Sequence, residues 1–307
     1  MLKPCVGAIL LFSLLQPAPA PRRVAITIDD GPVVGEMENL ANFERVSAGL
    51  TGALHGEQVP ATIFINERQL NVRGQRDGRV AVLERWLDAG FELANHTYSH
   101  PSLNAVPLRQ FGDDVVRGDV ITRARVEARG GRLEWFRYPY LHSGTTAEVH
   151  QGIVDFLEQR QYRVAPVTVD YADYTFASAY RNQLRAGMPD VAARIKDAYL
   201  GQIDIAFEYS EKASVELFGH EIPQILLIHC NELNSVSLRD SIARIRSRGY
   251  QFITLEEAMK DPAYGRPDTF AGPGGSWLNR TANILGKKIS VANARVPDWV
   301  GGMAKQQ

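Results

Sequence analysis

Cysteine is nearly absent from this chain, which contains two among its 307 residues. Cys5 lies in an apolar N-terminal segment, so removal of that segment would leave Cys230 as the one remaining thiol. A single thiol cannot form an internal disulfide, and the fold must then be held together by a hydrophobic core. The chain is long enough to bury a core of the size found in α/β barrels, or two smaller ones.

An excess of charge is absent as well. The 34 lysine and arginine residues and the 35 aspartate and glutamate residues give a formal net charge of −1. Nucleic acids and anionic membranes attract strongly basic surfaces, so we expect neither as a partner. A neutral substrate fits this balance at least as well as a charged one.

The N-terminal apolar run, Val6–Leu15, is too short to cross a bilayer as a stable helix. It follows a basic start at Lys3 and precedes Ala18-Pro19-Ala20, which has the A-x-A pattern of a cleavage site. These features predict a signal peptide over residues 1–20, a secreted, periplasmic or envelope location, and no integral membrane span in the mature chain. Because Pro21 would follow the scissile bond, a neighbouring cleavage point and an uncleaved anchor both stay open.

Short apolar runs, dense in valine, isoleucine and phenylalanine, alternate with amphipathic helical stretches along residues 22–260. Runs of this kind are typical of strands covered on both faces, and the alternation predicts a parallel sheet or barrel. The predicted strands are Val24–Ile28, Ala61–Ile65, Phe91–Ala94, Trp135–Tyr138, Tyr162–Val169, Ile225–Ile228 and Gln251–Thr254. The predicted helices between them are Val80–Ala89, Asp113–Arg129, Val149–Gln159 and Leu238–Arg248.

Two regions depart from this alternation. Residues 175–222 are polar and helix-prone, which predicts a helical insertion on the rim of a barrel, with helices at Asp190–Tyr199 and Tyr209–Leu217. Residues 261–307 begin with a segment rich in proline and glycine, which predicts an extended C-terminal tail that packs across the surface. Within that tail, Trp277 has two interpretations, a packing anchor or a face on which a sugar stacks.

Two adjacent carboxylates, Asp29 and Asp30, end the first predicted strand. Neighbouring side chains on a strand point to opposite faces, so the pair suits two separate tasks rather than one shared task. One carboxylate could bind a metal ion while the other accepts or gives a proton.

Two histidines, His96 and His100, follow the third predicted strand. A spacing of four residues brings two imidazoles to one side of a helical turn, an arrangement that suits a transition metal such as zinc. Asp30 and these histidines follow the carboxyl ends of strands, which is where the active sites of parallel α/β barrels assemble. Surface or capping histidines are the alternative interpretation.

Titratable residues also end three further predicted strands: Arg137 the fourth, Asp170 the fifth and His229 the sixth. An arginine there can fix the orientation of a carboxylate through two parallel hydrogen bonds. Each residue alone has a structural explanation, an ion pair, an acidic turn or a buried histidine. Several strand ends that each carry a polar residue on one rim favour a catalytic site.

Taken together, five segments resemble the motifs of the polysaccharide deacetylases, the NodB-homology enzymes of carbohydrate esterase family 4, in the family's order. The segments are Thr27–Pro32, His96–His100, Arg137–Tyr140, Asp170–Tyr174 and Leu227–His229. Ile28 stands where the family usually has phenylalanine, and Tyr174 where tryptophan is common. The resemblance covers about residues 22–260 and implies a distorted, incomplete (β/α) barrel, an α/β fold that agrees with the seven predicted strands.

The resemblance implies that one divalent metal ion is bound by Asp30, His96 and His100. Two imidazoles and one carboxylate suit Zn²⁺ best, while Co²⁺, Mn²⁺, Fe²⁺ and Ni²⁺ are also compatible. Asp29 would be the general base, and Arg137 would orient it and keep it ionised.

The remaining motif residues would complete the site. His229 would protonate the departing amine, with Asp170 as the carboxylate that tunes it. The backbone N–H of Tyr140 would stabilise the oxyanion. Tyr174 and Leu227 would line the pocket for the acetyl methyl group.

The expected function is hydrolysis of N-acetyl groups on amino-sugar polymers or oligomers, such as peptidoglycan, chitin-like chains or exopolysaccharide. An O-acetyl esterase or a hydrolase of non-sugar amides would use the same residues, and an inactive carbohydrate-binding protein is a third possibility. We expect surface or structural roles for His55, His142, His150 and His220, and a place in the core for Cys230.

Overall fold

Seven parallel strands form one curled sheet surrounded by helices in the computed structural model, which describes residues 21–34 and 39–305. The strands are β1 (Arg22–Gly31), β2 (Ala61–Ile65), β3 (Glu92–Asn95), β4 (Trp135–Phe136), β5 (Arg163–Val164), β6 (Gln224–His229) and β7 (Tyr250–Phe252). Their order is β5-β4-β3-β2-β1-β6, and β7 pairs with the start of β1. The predicted signal peptide and Cys5 lie outside the described residues.

The two edges of the sheet share the segment that follows β5. Ala165 donates its backbone N–H to Phe136 of β4, and Thr168 donates to Ile225 of β6. Leu227 in turn donates to Val169. The sheet therefore curls into a half-barrel, which confirms the predicted α/β class and the distorted, incomplete barrel.

All seven predicted strands are present, although β4 and β5 are shorter than expected. The helices are α1 (Leu40–Gly56), α2 (Arg76–Asp88), α3 (Leu108–Arg117), α4 (Val120–Glu127), α5 (Ala147–Gln159), α6 (Asp173–Arg185), α7 (Pro189–Phe218), α8 (Glu232–Ser247), α9 (Leu255–Ala258), α10 (Trp277–Ile284) and α11 (Asp298–Ala304). In the described ranges, none of these helices combines the length and the apolar character needed to cross a bilayer.

The helix predicted over Asp113–Arg129 is wrong, because the chain breaks there into α3 and α4. Gly118 lies at the break, and a Cβ atom on it would lie 2.3 Å from the carbonyl carbon of Thr97. Val116 and Val120, which would share the apolar face of one continuous helix, are not buried, since these side chains are 37% and 62% exposed. The break lets α3 end directly against the loop that carries His96 and His100.

The predicted insertion is helical, but its helices belong to the core rather than to a rim. The two predicted helices are one continuous helix of 30 residues, α7. Its Ile195, Tyr199 and Phe207 are fully buried, and α7 packs against α6 and α8.

The tail is also not simply extended, since it contains α10 and α11. Trp277 at the start of α10 is buried and stacks on Phe218, with 5.3 Å between ring centroids. Trp277 therefore anchors the tail by packing. Cys230, for which we expected a core position, is fully buried.

We predict that Gly118→Ala destabilises the protein by about 1–3 kcal/mol, because the added methyl group must displace the backbone at Thr97. Gly201→Ala is the matched control, since that helical glycine has open space around its Cβ position. Alanine is the better helix former, so the control should be neutral or slightly stabilised. Urea unfolding of both variants measures the difference, and equal stabilities would contradict the packing argument.

Candidate active site and metal centre

The carboxyl ends of the strands meet at one cavity of about 760 Å³. Its wall brings together residues that lie far apart in the sequence, as the parallel sheet requires. In the pairing of β1 with β6, Asp29 lies directly opposite His229. The predicted site residues on the cavity wall are Asp29, Asp30, His96, His100, Tyr140, Asp170, Tyr174, Leu227 and His229.

Asp30, His96 and His100 form a cluster that could hold one metal ion. One ligand atom from each, a carboxylate oxygen or an imidazole nitrogen, lies within 4.8 Å of the other two. The Nε2 atoms of His100 and His96 lie 3.3 Å and 3.7 Å from Oδ1 of Asp30. Two imidazole nitrogens and one carboxylate oxygen are a donor set that suits a divalent transition metal.

The chemistry of His96 fits the role of a metal ligand. Its Nδ1 lies 2.8 Å from the carbonyl oxygen of Arg137, so Nδ1–H donates there and Nε2 keeps its lone pair for the cluster. Burial, together with the nearby charge of His100, lowers the pKa of His96 to about 3. The imidazole is therefore neutral at physiological pH, which is the state that binds a metal.

The backbone at Asp30 explains how both adjacent carboxylates reach one cavity. Asp30 has φ of 58°, in the left-handed region, and the pairing of β1 with β2 shifts register between Ile28 and Gly31. The strand rule that separates neighbouring side chains therefore fails at this residue. His100 also has a positive φ, of 61°, and strain of this kind costs of order 1–3 kcal/mol per residue and concentrates at functional sites.

Arg137 is fully buried and fixes one oxygen of Asp29. Its Nη1 donates to Oδ1 of Asp29 at 2.9 Å and to Oγ1 of Thr27 at 2.7 Å, while Nη2 donates to the carbonyl of Pro166 at 3.1 Å. The expected pair of parallel hydrogen bonds to one carboxylate is therefore wrong. Oδ2 of Asp29 is left facing the cluster of Asp30, His96 and His100, 3.7 Å from Nε2 of His96.

Two opposing effects act on the ionisation of Asp29. Burial raises the pKa of its carboxyl group, while the charge and the hydrogen bond of Arg137 lower it. The net direction is upward, so this carboxylate is a better proton acceptor than an ordinary exposed aspartate.

The carboxylate that contacts His229 is Asp173, which corrects the role expected for Asp170. Nδ1 of His229 lies 2.7 Å from Oδ1 of Asp173. Asp170 instead accepts a hydrogen bond from the backbone of Ala172 and lines the cavity. Ala172 has a left-handed φ of 54°, and this turn places Asp173 at the first position of α6, against β6.

His229 is cationic at neutral pH. Burial alone would lower the pKa of the imidazole, but the charge and the hydrogen bond of Asp173 raise it to about 10. With Nδ1 occupied by Asp173, Nε2 is the nitrogen left to act toward the cavity. A charged imidazole in this position can donate a proton.

The three residues expected to touch substrate all lie on the cavity wall. Tyr140 and Tyr174 are each 58% exposed, while Leu227 is buried. The ring of Tyr140 lies 4.5 Å from that of His100, and the ring of Tyr174 lies 5.7 Å from that of His229. Their roles in substrate binding stay predictions.

Sequence reasoning missed several other wall residues: Asn66, Arg68, Tyr98, His142 and Gly275. We expected a surface or structural role for His142. Its Nδ1 lies 2.8 Å from Oγ of Ser102, which is a structural contact, but the side chain also borders the cavity. Its place two residues after the third motif, Arg137–Tyr140, was an available signal. Gly275 comes from the tail, and no local pattern connects it with the strand ends.

We predict that Asp173→Asn lowers the free energy of unfolding by about 3–5 kcal/mol at pH 7, because a buried ion pair loses one partner. The pKa of His229 is raised from 6.5 to about 10 in the folded protein, so the pair stabilises fully below about pH 6.5 and loses its effect as pH rises through about 10. Urea unfolding measures this difference: the loss of unfolding free energy in Asp173→Asn should be smaller at alkaline pH than at pH 7.

Asp170→Asn is the control for this experiment, because Asp170 makes no hydrogen bond to His229 in the described residues. Its difference from the unmutated protein should stay constant over the same alkaline interval. If the stability difference shrank with rising pH in Asp170→Asn and not in Asp173→Asn, Asp170 would be the carboxylate that raises the pKa of His229.

Comparison with known proteins gives a consistent result. Residues 16–164 match the family model described as polysaccharide deacetylase. No curated protein matches the chain significantly.

Solved structures share the fold at low sequence identity. A carbohydrate esterase family 4 pseudoenzyme from Bacillus anthracis is 18% identical, with 80% of this chain and 67% of that chain covered and a TM-score of 0.51. A family 4 carbohydrate esterase from Streptomyces lividans is 19% identical over 78% of this chain and 97% of that one, with a TM-score of 0.50.

The peptidoglycan deacetylase PdaC from Bacillus subtilis is 21% identical, with 81% of this chain and 96% of that chain covered and a TM-score of 0.50. At these identities the likeness shows the fold alone, and the resemblance to the family rests on the matched segment. The match over residues 16–164 confirms the resemblance of the chain to the polysaccharide deacetylase family.

Proposed function

We propose that this protein is a metal-dependent deacetylase that hydrolyses N-acetyl groups on amino-sugar polymers or oligomers. The observation that carries the proposal is the position of Asp29, whose Oδ1 is held by Arg137 and whose Oδ2 faces the three-ligand cluster. A carboxylate fixed on one side and free on the other is suited to accept a proton next to a bound ion.

Asp30, His96 and His100 would hold the ion, and Zn²⁺ suits their two nitrogens and one oxygen best, ahead of Co²⁺, Mn²⁺, Fe²⁺ and Ni²⁺. When bound, such an ion lowers the pKa of water and polarises a carbonyl group. The neutral state of His96 supports this assignment, because a protonated imidazole cannot bind a metal.

Asp29 would accept the proton of the attacking water through Oδ2. Arg137 would keep Oδ1 in place, and its buried positive charge opposes the rise of the Asp29 pKa. The proton would therefore be held by a carboxylate whose basicity is raised by burial but limited by an ion pair.

His229 would deliver a proton to the departing amine, since Asp173 keeps it cationic near neutral pH. The backbone N–H of Tyr140, held in a left-handed turn with φ of 58°, is proposed to stabilise the oxyanion. Leu227 and Tyr174 would contact the acetyl methyl group.

The exposed rings around the cavity support a carbohydrate substrate. Tyr140 and Tyr174 present more than half of their surface to solvent, and aromatic faces of this kind pack against sugar rings. Peptidoglycan, chitin-like chains and exopolysaccharide all carry N-acetylated amino sugars. A secreted or envelope location, as the N-terminal sequence predicts, would bring the protein to these polymers.

We predict that Asp29→Asn lowers kcat by about 10²–10⁴-fold and keeps the metal, because the general base is lost while the three ligands remain. Asp30→Ala and His100→Ala should lose both the metal and activity. Elemental analysis of the purified variants, together with acetate release, separates the two outcomes.

Asp88→Asn is the control, since Asp88 pairs with Arg129 away from the cavity. Near-normal turnover by Asp29→Asn with a full complement of metal would contradict the acid–base assignment.

We further predict that N-acetylglucosamine oligomers release acetate, that a chelator abolishes the release, and that added Zn²⁺ restores it. Acetylated xylan and an acetylated non-sugar amide are assayed for acetate release in parallel. Release from xylan alone would identify an O-acetyl esterase, and release from the non-sugar amide alone would point to that class of hydrolase. Sugar binding without any acetate release would identify a carbohydrate-binding protein.

A further inference from the structure

A continuous chain of buried hydrogen bonds connects the long insertion helix α7 with the Asp173–His229 pair. The hydroxyl of Tyr199 on α7 donates to Oδ1 of Asn234 at 2.5 Å. Nδ2 of Asn234 donates to Oδ2 of Asp173 at 2.6 Å, and Oδ1 of Asp173 accepts from His229 at 2.7 Å. Tyr171 extends the chain at its far end, with 3.1 Å between its hydroxyl oxygen and that of Tyr199.

The residues that lead from α7 to Asp173 are shielded from water. Tyr199 and Asn234 are fully buried, and Tyr171 and Asp173 are almost so. Burial raises the pKa of both tyrosine hydroxyls, so both keep their protons and can donate. Hydrogen bonds in such surroundings are strong, and aligned donors polarise one another.

Asn234 links Tyr199 to Asp173 in this series of hydrogen bonds. Its carboxamide nitrogen donates to Asp173 and also to the backbone carbonyl of His229 at 2.9 Å. Its oxygen accepts from Tyr199. A flipped carboxamide would point its oxygen at the carboxylate of Asp173, so the carboxylate fixes the orientation in which the nitrogen faces it, and the hydroxyl of Tyr199 then holds the carboxamide oxygen in place.

We infer that Tyr199 is a positioning residue for His229, acting through Asn234 and Asp173. The inference rests on the proposed function, in which His229 gives a proton to the leaving amine. It assigns a task to the insertion, which lies beyond the residues matched by the family model. The cavity wall supports this reading, because none of the described residues that line it lies between 175 and 222.

Tyr199→Phe removes one hydroxyl and tests this role. We expect kcat to fall about three- to tenfold, with KM changed less than twofold, because the buried hydrogen bond to Asn234 is lost, together with that to Tyr171, and the substrate contacts remain. Tyr209→Phe is the matched control, since Tyr209 is a buried tyrosine on the same helix whose hydroxyl bonds Asn279 instead. The control should match Tyr199→Phe in thermal stability but keep the kcat of the unmutated enzyme.

A double-mutant cycle with Asn234→Ala tests the route. If Tyr199 acts through Asn234, the double variant should be no slower than Asn234→Ala alone. Additive losses, or an unchanged kcat in Tyr199→Phe, would overturn the inference.

A second readout separates this inference from the proposed function. The proton between Nδ1 of His229 and Asp173 gives a downfield NMR signal, assigned by its loss in His229→Gln, in the resting protein without substrate. We expect the signal to move upfield or broaden in Tyr199→Phe and to stay in place in Tyr209→Phe. A signal unchanged in Tyr199→Phe would refute the positioning role, while a protein that shows the shift but releases no acetate would refute only the proposed function.

Discussion

The ion pair between Arg137 and Asp29 is the interaction on which the candidate site depends. Arg137 lies at the end of β4 and Asp29 at the end of β1, so their hydrogen bond spans the inside of the curled sheet. Breaking a buried pair of this kind leaves an unpaired charge and costs about 3–5 kcal/mol. The backbone carbonyl of Arg137 also accepts the hydrogen bond from Nδ1 of His96. One residue therefore orients both the proposed base and one of the proposed metal ligands.

A second ion pair, between Asp173 and His229, lies beside the first, because His229 of β6 pairs with Asp29 of the neighbouring strand β1. The two pairs have opposite consequences for proton transfer. Arg137 limits how far burial can raise the pKa of Asp29, whereas Asp173 raises the pKa of His229 to about 10. In the proposed mechanism, this difference would leave Asp29 ready to accept a proton and His229 ready to give one, which is the separation that acid–base catalysis requires.

The position of the strands and most site residues could be predicted from the sequence, and the reason is local. A run such as Ala61–Ile65 has no charged residue to expose, and polar residues that follow such runs must lie at the sheet edge. Helix ends were less predictable. The break at Gly118 is set by the backbone of Thr97, some 20 residues earlier, and no periodicity within Asp113–Arg129 reveals that contact. In the same way, no local sequence pattern predicts that Gly275 contributes to the cavity wall.

The sequence by itself determined the α/β class, the seven strands and the residues available for chemistry at their ends, because these follow from hydrophobic pattern and residue type. Only the tertiary structure decided which of two nearby carboxylates meets His229. Asp170 and Asp173 are the same residue type three positions apart, so the sequence does not distinguish them. The left-handed turn at Ala172 directs their side chains differently, and Asp173 is the one that contacts His229. It also decided that Asp30 turns into the same cavity as Asp29, since a backbone angle and a register shift, rather than residue type, set that direction.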